Sequence, residues 1–311
     1  MKGIFFDGEK AVYREDLPRP VPEGKESLIR ILLAAVCNTD KEILKGYRPD
    51  FQGVMGHEFI GIVEESPDPA WIGKRVAGEL NAVCGECIYC RTGRSTHCNS
   101  RRVLGMHDKD GCFAEYMTID TSLLHQLPDG LAAEQAIYTE PLAAAYEILT
   151  QIELKEGQNI GILGDGRLAY CITQAFHASG HEVTVIGKHP EKFALFAPFA
   201  NTTTAWEEES YEILIEATGS PSGLRQALQM VRKKGTIVLK STYAGEVSLP
   251  MSQVAVNEIT ITGSRCGPFE PAISALAKGI AVFPRITLYE LKDFQKAFSS
   301  GAFKSGFCIS N

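Results

Sequence analysis

The chain is 311 residues long, 44% hydrophobic and 22% charged, with a formal net charge of −7. These are ordinary figures for a soluble globular protein with room for two domains. The acidic balance and the lack of a basic run argue against a nucleic-acid partner.

No apolar run reaches the roughly 18 residues of a membrane span. The N-terminal stretch MKGIFFDGEKAVYRED has only a short apolar run, broken by Asp7, which is too little for a signal peptide. Of nine cysteines, four cluster and the others (Cys37, Cys112, Cys171, Cys266, Cys308) are scattered. An odd, scattered set argues against a disulfide framework and points to a reducing, cytoplasmic setting.

Along the chain, residues 1 to about 140 carry short β-type runs: 3–6, 28–36, 59–65, 75–80 and 113–119. Pro18, Pro20, Pro22 and Gly24 punctuate the start. This predicts a mostly β lobe with long loops. Within it lies Cys84-Gly-Glu-Cys87-Ile-Tyr-Cys90, followed after seven residues by Cys98. Four thiolates at that spacing suit one tetrahedral Zn²⁺. They also fill its coordination shell, so the cluster reads as structural and the chemistry must lie elsewhere.

From about Leu142 the pattern alternates. Strands are expected at 159–163, 182–186, 211–217, 236–240 and 258–263, with helices at 168–179, after Pro190 and at 222–232. Alternation with short connections predicts a parallel sheet covered by helices on both faces. The stretch from Arg265 to Asn311 shows two helix-like segments and a terminal β-like run.

The first of these strands leads into Gly164-Asp-Gly166-Arg-Leu-Ala169. A glycine turn between a strand and a helix is what a dinucleotide pyrophosphate needs: Gly164 for the turn, Gly166 for close approach and Ala169 for helix–strand packing. An NAD site usually has a carboxylate at the end of the next strand. Here that end reads Ile186-Gly187-Lys188-His189, and Glu182 lies at the opposite end. Lys188 suits a 2′-phosphate, which favours NADP over NAD, although it also reads as a solvated loop residue. Asp165 lies close to the phosphate position, either pointing to solvent or weakening dinucleotide binding.

Three upstream residues offer Zn-compatible donors: Cys37 after an apolar strand, His57 in Gly56-His57-Glu58, and Glu140 before Pro141. Three ligands leave a fourth position open. Singly, each has an ordinary structural role: a buried thiol, a core histidine and a carboxylate at a helix start.

Together these motifs resemble the zinc-dependent medium-chain alcohol dehydrogenase family over nearly the whole chain. The resemblance runs through Cys37-x-Thr39-Asp40, Gly56-His57-Glu58, the Cys84/87/90/98 lobe, Asp110–Tyr116, Glu140-Pro141-Leu142, the glycine turn and Gly263-Ser264-Arg265. It implies an α/β chain. A GroES-like, mostly β catalytic domain covers 1–142 and 265–311, and a Rossmann doubly wound sheet covers 143–264. It also implies a catalytic zinc in the cleft between the domains, a second, structural zinc, NADP or NAD as cofactor, and a dimer or tetramer.

The resemblance assigns roles. Cys37, His57 and Glu140 match catalytic zinc ligands, and a Glu in the third place resembles the polyol, threonine and sugar dehydrogenase branch. Glu58 matches a neighbouring or exchangeable ligand, Thr39 the hydroxyl that passes the substrate proton, and Arg265 a cofactor-side residue. Asp40 reads as structural. The segment after Gly61 and the region after Arg265 are compressed for the family. The expected activity is hydride transfer between the cofactor and a secondary alcohol, polyol or sugar. The alternatives are a zinc-free enone reductase of the same superfamily and a non-catalytic nucleotide-binding protein.

Overall fold

The computed structural model describes residues 1–242 and 246–309. The chain forms two compact units, one of Met1–Glu140 with Phe283–Asn311 and one of Pro141–Val282. The sequence placed the second boundary at 264/265. The compact unit instead runs on to Val282, because residues 265–282 pack with it. The Tyr170 hydroxyl donates to the Val282 carbonyl at 3.0 Å, and the Val282 amide donates to Gln174 Oε1 at 2.9 Å.

The first unit is built on a seven-stranded sheet around Glu26–Ala35. That strand pairs antiparallel with Glu58–Glu65, with Tyr116–Asp120 and with Ser305–Cys308. Its residues Leu28, Ile29, Ile31, Leu33, Ala34 and Ala35, which lie on both faces, are buried, as a strand covered on both sides requires. Register then does the positioning. Ala35 pairs with Glu58 on one side and with Gly306 on the other. The chain just after Ala35, just before Glu58 and just before Ser305 is therefore brought to one place. A two-stranded ribbon, Asn81–Ala82 with Arg102–Val103, closes the base of the loop that carries the four clustered cysteines.

The second unit holds a six-stranded, all-parallel sheet. In spatial order its strands are Asn201–Thr203, Thr184–Ile186, Ile160–Leu163, Tyr211–Glu216, Val231–Leu239 and Thr260–Gly263. Numbered along the chain, this is the 3-2-1-4-5-6 order of a doubly wound fold. The order reverses between Ile160–Leu163 and Tyr211–Glu216, which is where such sheets bind ligands. The core clusters Leu163, Ile186, Leu214, Leu224, Leu228 and Ile237. One element was misjudged: the helix expected to 232 ends at Met230, and Val231 already begins the fifth strand by pairing with Tyr211. The apolar face of that helix runs straight into the strand, so periodicity hides the junction.

Candidate functional site

Cys37 caps the short helix Asn38–Ile43, just beyond the end of Glu26–Ala35. The Asp40 carboxylate turns back and accepts the Cys37 amide at 2.8 Å through Oδ2. This is the reciprocal cap expected when a side chain three residues on reaches the first helical turn. His57 follows Gly56, whose φ of +94° excludes most other residues and where any side chain would collide with the Phe113 ring. Register delivers His57 and Glu58 beside Cys37. One donor atom from each of Cys37, His57 and Glu58 lies within 4.8 Å of the others.

The surroundings favour positive charge at that point. Asp40 is fully buried, and its Oδ1 lies 3.3 Å from His57 Nδ1. Burial alone would push the His57 imidazole down, but Asp40, with Cys37 behind it, raises it well above the usual histidine value. Glu58 is 1% exposed, and its Oε1 has no hydrogen-bond donor among the described residues. The buried Lys304 ammonium lies against its Oε2. A thiol, an imidazole and a carboxylate grouped so tightly fit a cation such as Zn²⁺. The neighbouring Cys112 is different. Burial, then the charges of Asp40 and Glu58, push its thiol well above the usual value, so it stays neutral and packs.

Thr39 Oγ1 lies 3.7 Å from Cys37 Sγ. Glu140 stands in the first turn of Thr139–Gln151 and is not one of the three grouped donors. Sequence reasoning missed two participants. Asp40 was read as structural, yet it faces both Cys37 and His57, and the cap spacing was the available signal. Lys304 had no local signal, because only strand pairing brings it to Glu58.

The cysteine lobe fits a metal too. Sγ–Sγ separations are 3.5 Å for Cys87–Cys90 and Cys84–Cys98, and 3.9 Å for Cys84–Cys90. A tetrahedron with bonds of about 2.3 Å to sulfur has edges of about 3.8 Å. Backbone amides of Glu86 and Cys87 point at Cys84 Sγ, both at 3.4 Å, as suits a thiolate.

In the second unit Gly164 has φ +126°, and a Cβ there would meet the Ala217 carbonyl oxygen at 2.7 Å. Gly166 caps the helix Arg167–Ala178 with open space around its Cα, and Ala169 is buried against the strand. The turn and helix start thus have the form that admits a pyrophosphate. Asp165 does not point to solvent: its side chain is 8% exposed. Its carboxylate bends toward the end of Thr184–Ile186 and accepts the amides of Lys188 at 2.7 Å and His189 at 2.9 Å. The Lys188 side chain is exposed. Arg265 is exposed after the last strand, and its carbonyl accepts from the buried Lys240 ammonium at 2.8 Å.

The family model for an alcohol dehydrogenase GroES-like domain matches residues 23–129, and that for a zinc-binding dehydrogenase matches residues 168–279. The chain belongs to the zinc-dependent medium-chain alcohol dehydrogenase family. Sorbitol dehydrogenase of Halalkalibacterium halodurans is 27% identical over 322 residues, spanning 95% of this chain and 93% of that one.

Two solved structures share the fold. A protein of Sinorhizobium meliloti 1021 bound to NADP has a TM-score of 0.89 at 22% identity, over 99% of this chain and 98% of that one. The rspB alcohol dehydrogenase of Escherichia coli CFT073, complexed with NADH, has a TM-score of 0.87 at 23% identity, over 99% of each chain. No helix among the described residues is long and apolar enough to cross a membrane. The protein is an oxidoreductase of this dehydrogenase family.

Proposed function

We propose that this protein transfers a hydride between a nicotinamide cofactor, NADP ahead of NAD, and a secondary alcohol, polyol or sugar. One zinc serves the reaction and a second, on Cys84, Cys87, Cys90 and Cys98, is structural. The observation that carries this reading is the donor group of half-buried Cys37 with buried His57 and Glu58 at the meeting of three strand ends, in a chain of a dehydrogenase family. A scaffold that only bound nucleotides would have no use for it.

Cys37 and His57 hold the reactive metal, with Glu140 as third ligand and Glu58 as the exchangeable one. Bound zinc supplies Lewis acidity, which brings the pKa of a coordinated hydroxyl toward about 7 from about 16 in bulk water. Asp40 fixes the His57 ring and leaves Nε2 to the metal. Lys304 neutralises Glu58, so its carboxylate stays buried beside the site. Thr39 relays the alcohol proton outward. The nicotinamide does the redox chemistry, held by a pyrophosphate on the turn at Gly164 and Gly166, with Lys188 toward the ribose and Arg265 at the sheet's carboxyl edge. The nine free cysteines suit a reducing, cytoplasmic setting.

A panel of polyols, sugars, amino alcohols and short secondary alcohols, assayed with NADP and NAD, tests the reading. Chelator-sensitive turnover of an alcohol is the expected result. Chelator-insensitive reduction of an enone would replace it with a zinc-free reductase, and no turnover in either direction would leave a binding protein.

A further inference from the structure

We infer that Asp165 is a positioning residue for a ribose 2′-phosphate: it docks Lys188 and His189 onto the glycine turn and so sets the preference for NADP. The inference rests on the NADP reading above. Gly187 directly follows the strand Thr184–Ile186, at the strand end where a fold that reads the ribose diol carries its carboxylate. Gly187 has no side chain, and a Cβ there would lie 2.7 Å from Asp165 Oδ2. The carboxylate of the glycine turn therefore occupies the space that a side chain at 187 would take.

It is not available to a diol. Oδ2 accepts the Lys188 and His189 amides at 2.7 and 2.9 Å. His189 Nδ1 lies 2.9 Å from both oxygens, and Lys192 Nζ donates to Oδ1 at 3.2 Å. The Asp165 side chain is 8% exposed, whereas those of His189 and Lys192 are 52% and 44% exposed. Burial pushes the Asp165 carboxyl up, but the bonds from His189, the Lys188 amide and Lys192 outweigh it and hold the group below the usual range. One buried carboxylate thus anchors the segment: the His189 and Lys192 side chains turn in toward it, while Lys188 is held by its backbone amide and its side chain is left exposed. Lys192 is paired with Asp165, so the exposed Lys188 ammonium is the cation this segment offers to a phosphate dianion, and Asp165, held by these donors, is not offered to a ribose hydroxyl.

The test measures NADPH and NADH binding by titration calorimetry, and amide hydrogen exchange, in the wild type, Asp165→Asn and Lys188→Ala. The asparagine keeps the size of the side chain but turns an amide donor toward the Lys188 and His189 donors. NADPH affinity should fall about tenfold in Asp165→Asn, one charge-assisted hydrogen bond's worth, and NADH affinity less than about twofold. Exchange at Lys188 and His189 should speed up in this variant only, and Lys188→Ala should lose the NADPH preference with exchange unchanged. Equal wild-type affinity for the two cofactors would defeat the NADP reading and this inference with it. A wild-type preference for NADPH that survives Asp165→Asn would defeat the role of Asp165 alone. So would equal losses for both cofactors, the mark of a purely structural role, or tighter NADPH binding.

Discussion

Asp40 and His57 face each other inside the first unit, with Oδ1 3.3 Å from Nδ1 and both residues buried. The other Asp40 oxygen holds the amide of Cys37. One carboxylate thus sets both the rotation of an imidazole and the start of the helix that presents a thiol. Such partners of metal-binding histidines typically contribute 10–100-fold to affinity.

Asp40→Asn keeps the shape and removes the charge. Zinc affinity at the Cys37 centre should fall by about 10–100-fold and turnover with it, while the cysteine lobe keeps its metal. Competition with a chromogenic chelator measures this. Unchanged affinity at the Cys37 centre would show that Asp40 only caps its helix.

The Lys304–Glu58 pair should behave as a buried ion pair. Lys304→Met leaves the Glu58 carboxylate buried without its cation and should cost about 3–5 kcal/mol in urea unfolding. Adding Glu58→Gln should recover most of that loss. Additive losses in the double-mutant cycle would mean the two groups do not interact energetically.

Cys90→Ser removes one corner of the thiolate tetrahedron. A structural zinc contributes its binding energy to folding, so this variant should lose one metal and much thermal stability. The protein that survives should retain its chemistry. Native stability and metal content with no turnover would make the lobe part of the reaction.

Stability should fall in acid through Glu26. Burial pushes its carboxyl up, but the Lys109 ammonium at 2.6 Å pulls it lower still, so its folded-state value lies below the usual one. A depressed carboxylate stabilises the fold above its unfolded value of about 4.3, and that contribution is lost as pH falls through the folded value. Glu26→Gln should therefore cost about 1.5–3 kcal/mol at pH 7, and the gap to wild type should close below about pH 4. A gap that stays constant down to pH 3 would remove the pair from the acid transition.

Much of this was legible in the residues. Alternating strands and helices after Leu142 gave the parallel sheet, because each strand is a short apolar run bounded by glycine or a turn. The cysteine spacing pointed to the lobe, because four cysteines on one loop need no tertiary contact to be recognised. What stayed hidden depends on register. Lys304 meets Glu58 only because Ala35 pairs with both Glu58 and Gly306, and nothing local to residue 304 says so. Asp165 looked like a liability beside a phosphate, since the sequence does not reveal that its side chain crosses to the next strand. The boundary at Val282 was missed because Tyr170 and Gln174 fasten residue 282 from another helix.

The most direct test counts zinc in the wild type, Cys37→Ser and Cys84→Ser by elemental analysis, with alcohol oxidation assayed on the same samples. The donor groups predict about two zinc per wild-type chain and about one in each variant. Oxidation should vanish in Cys37→Ser and persist in whatever Cys84→Ser protein folds. A wild type with one zinc, lost with Cys84 and indifferent to Cys37, would contradict a reactive metal centre at Cys37 and His57.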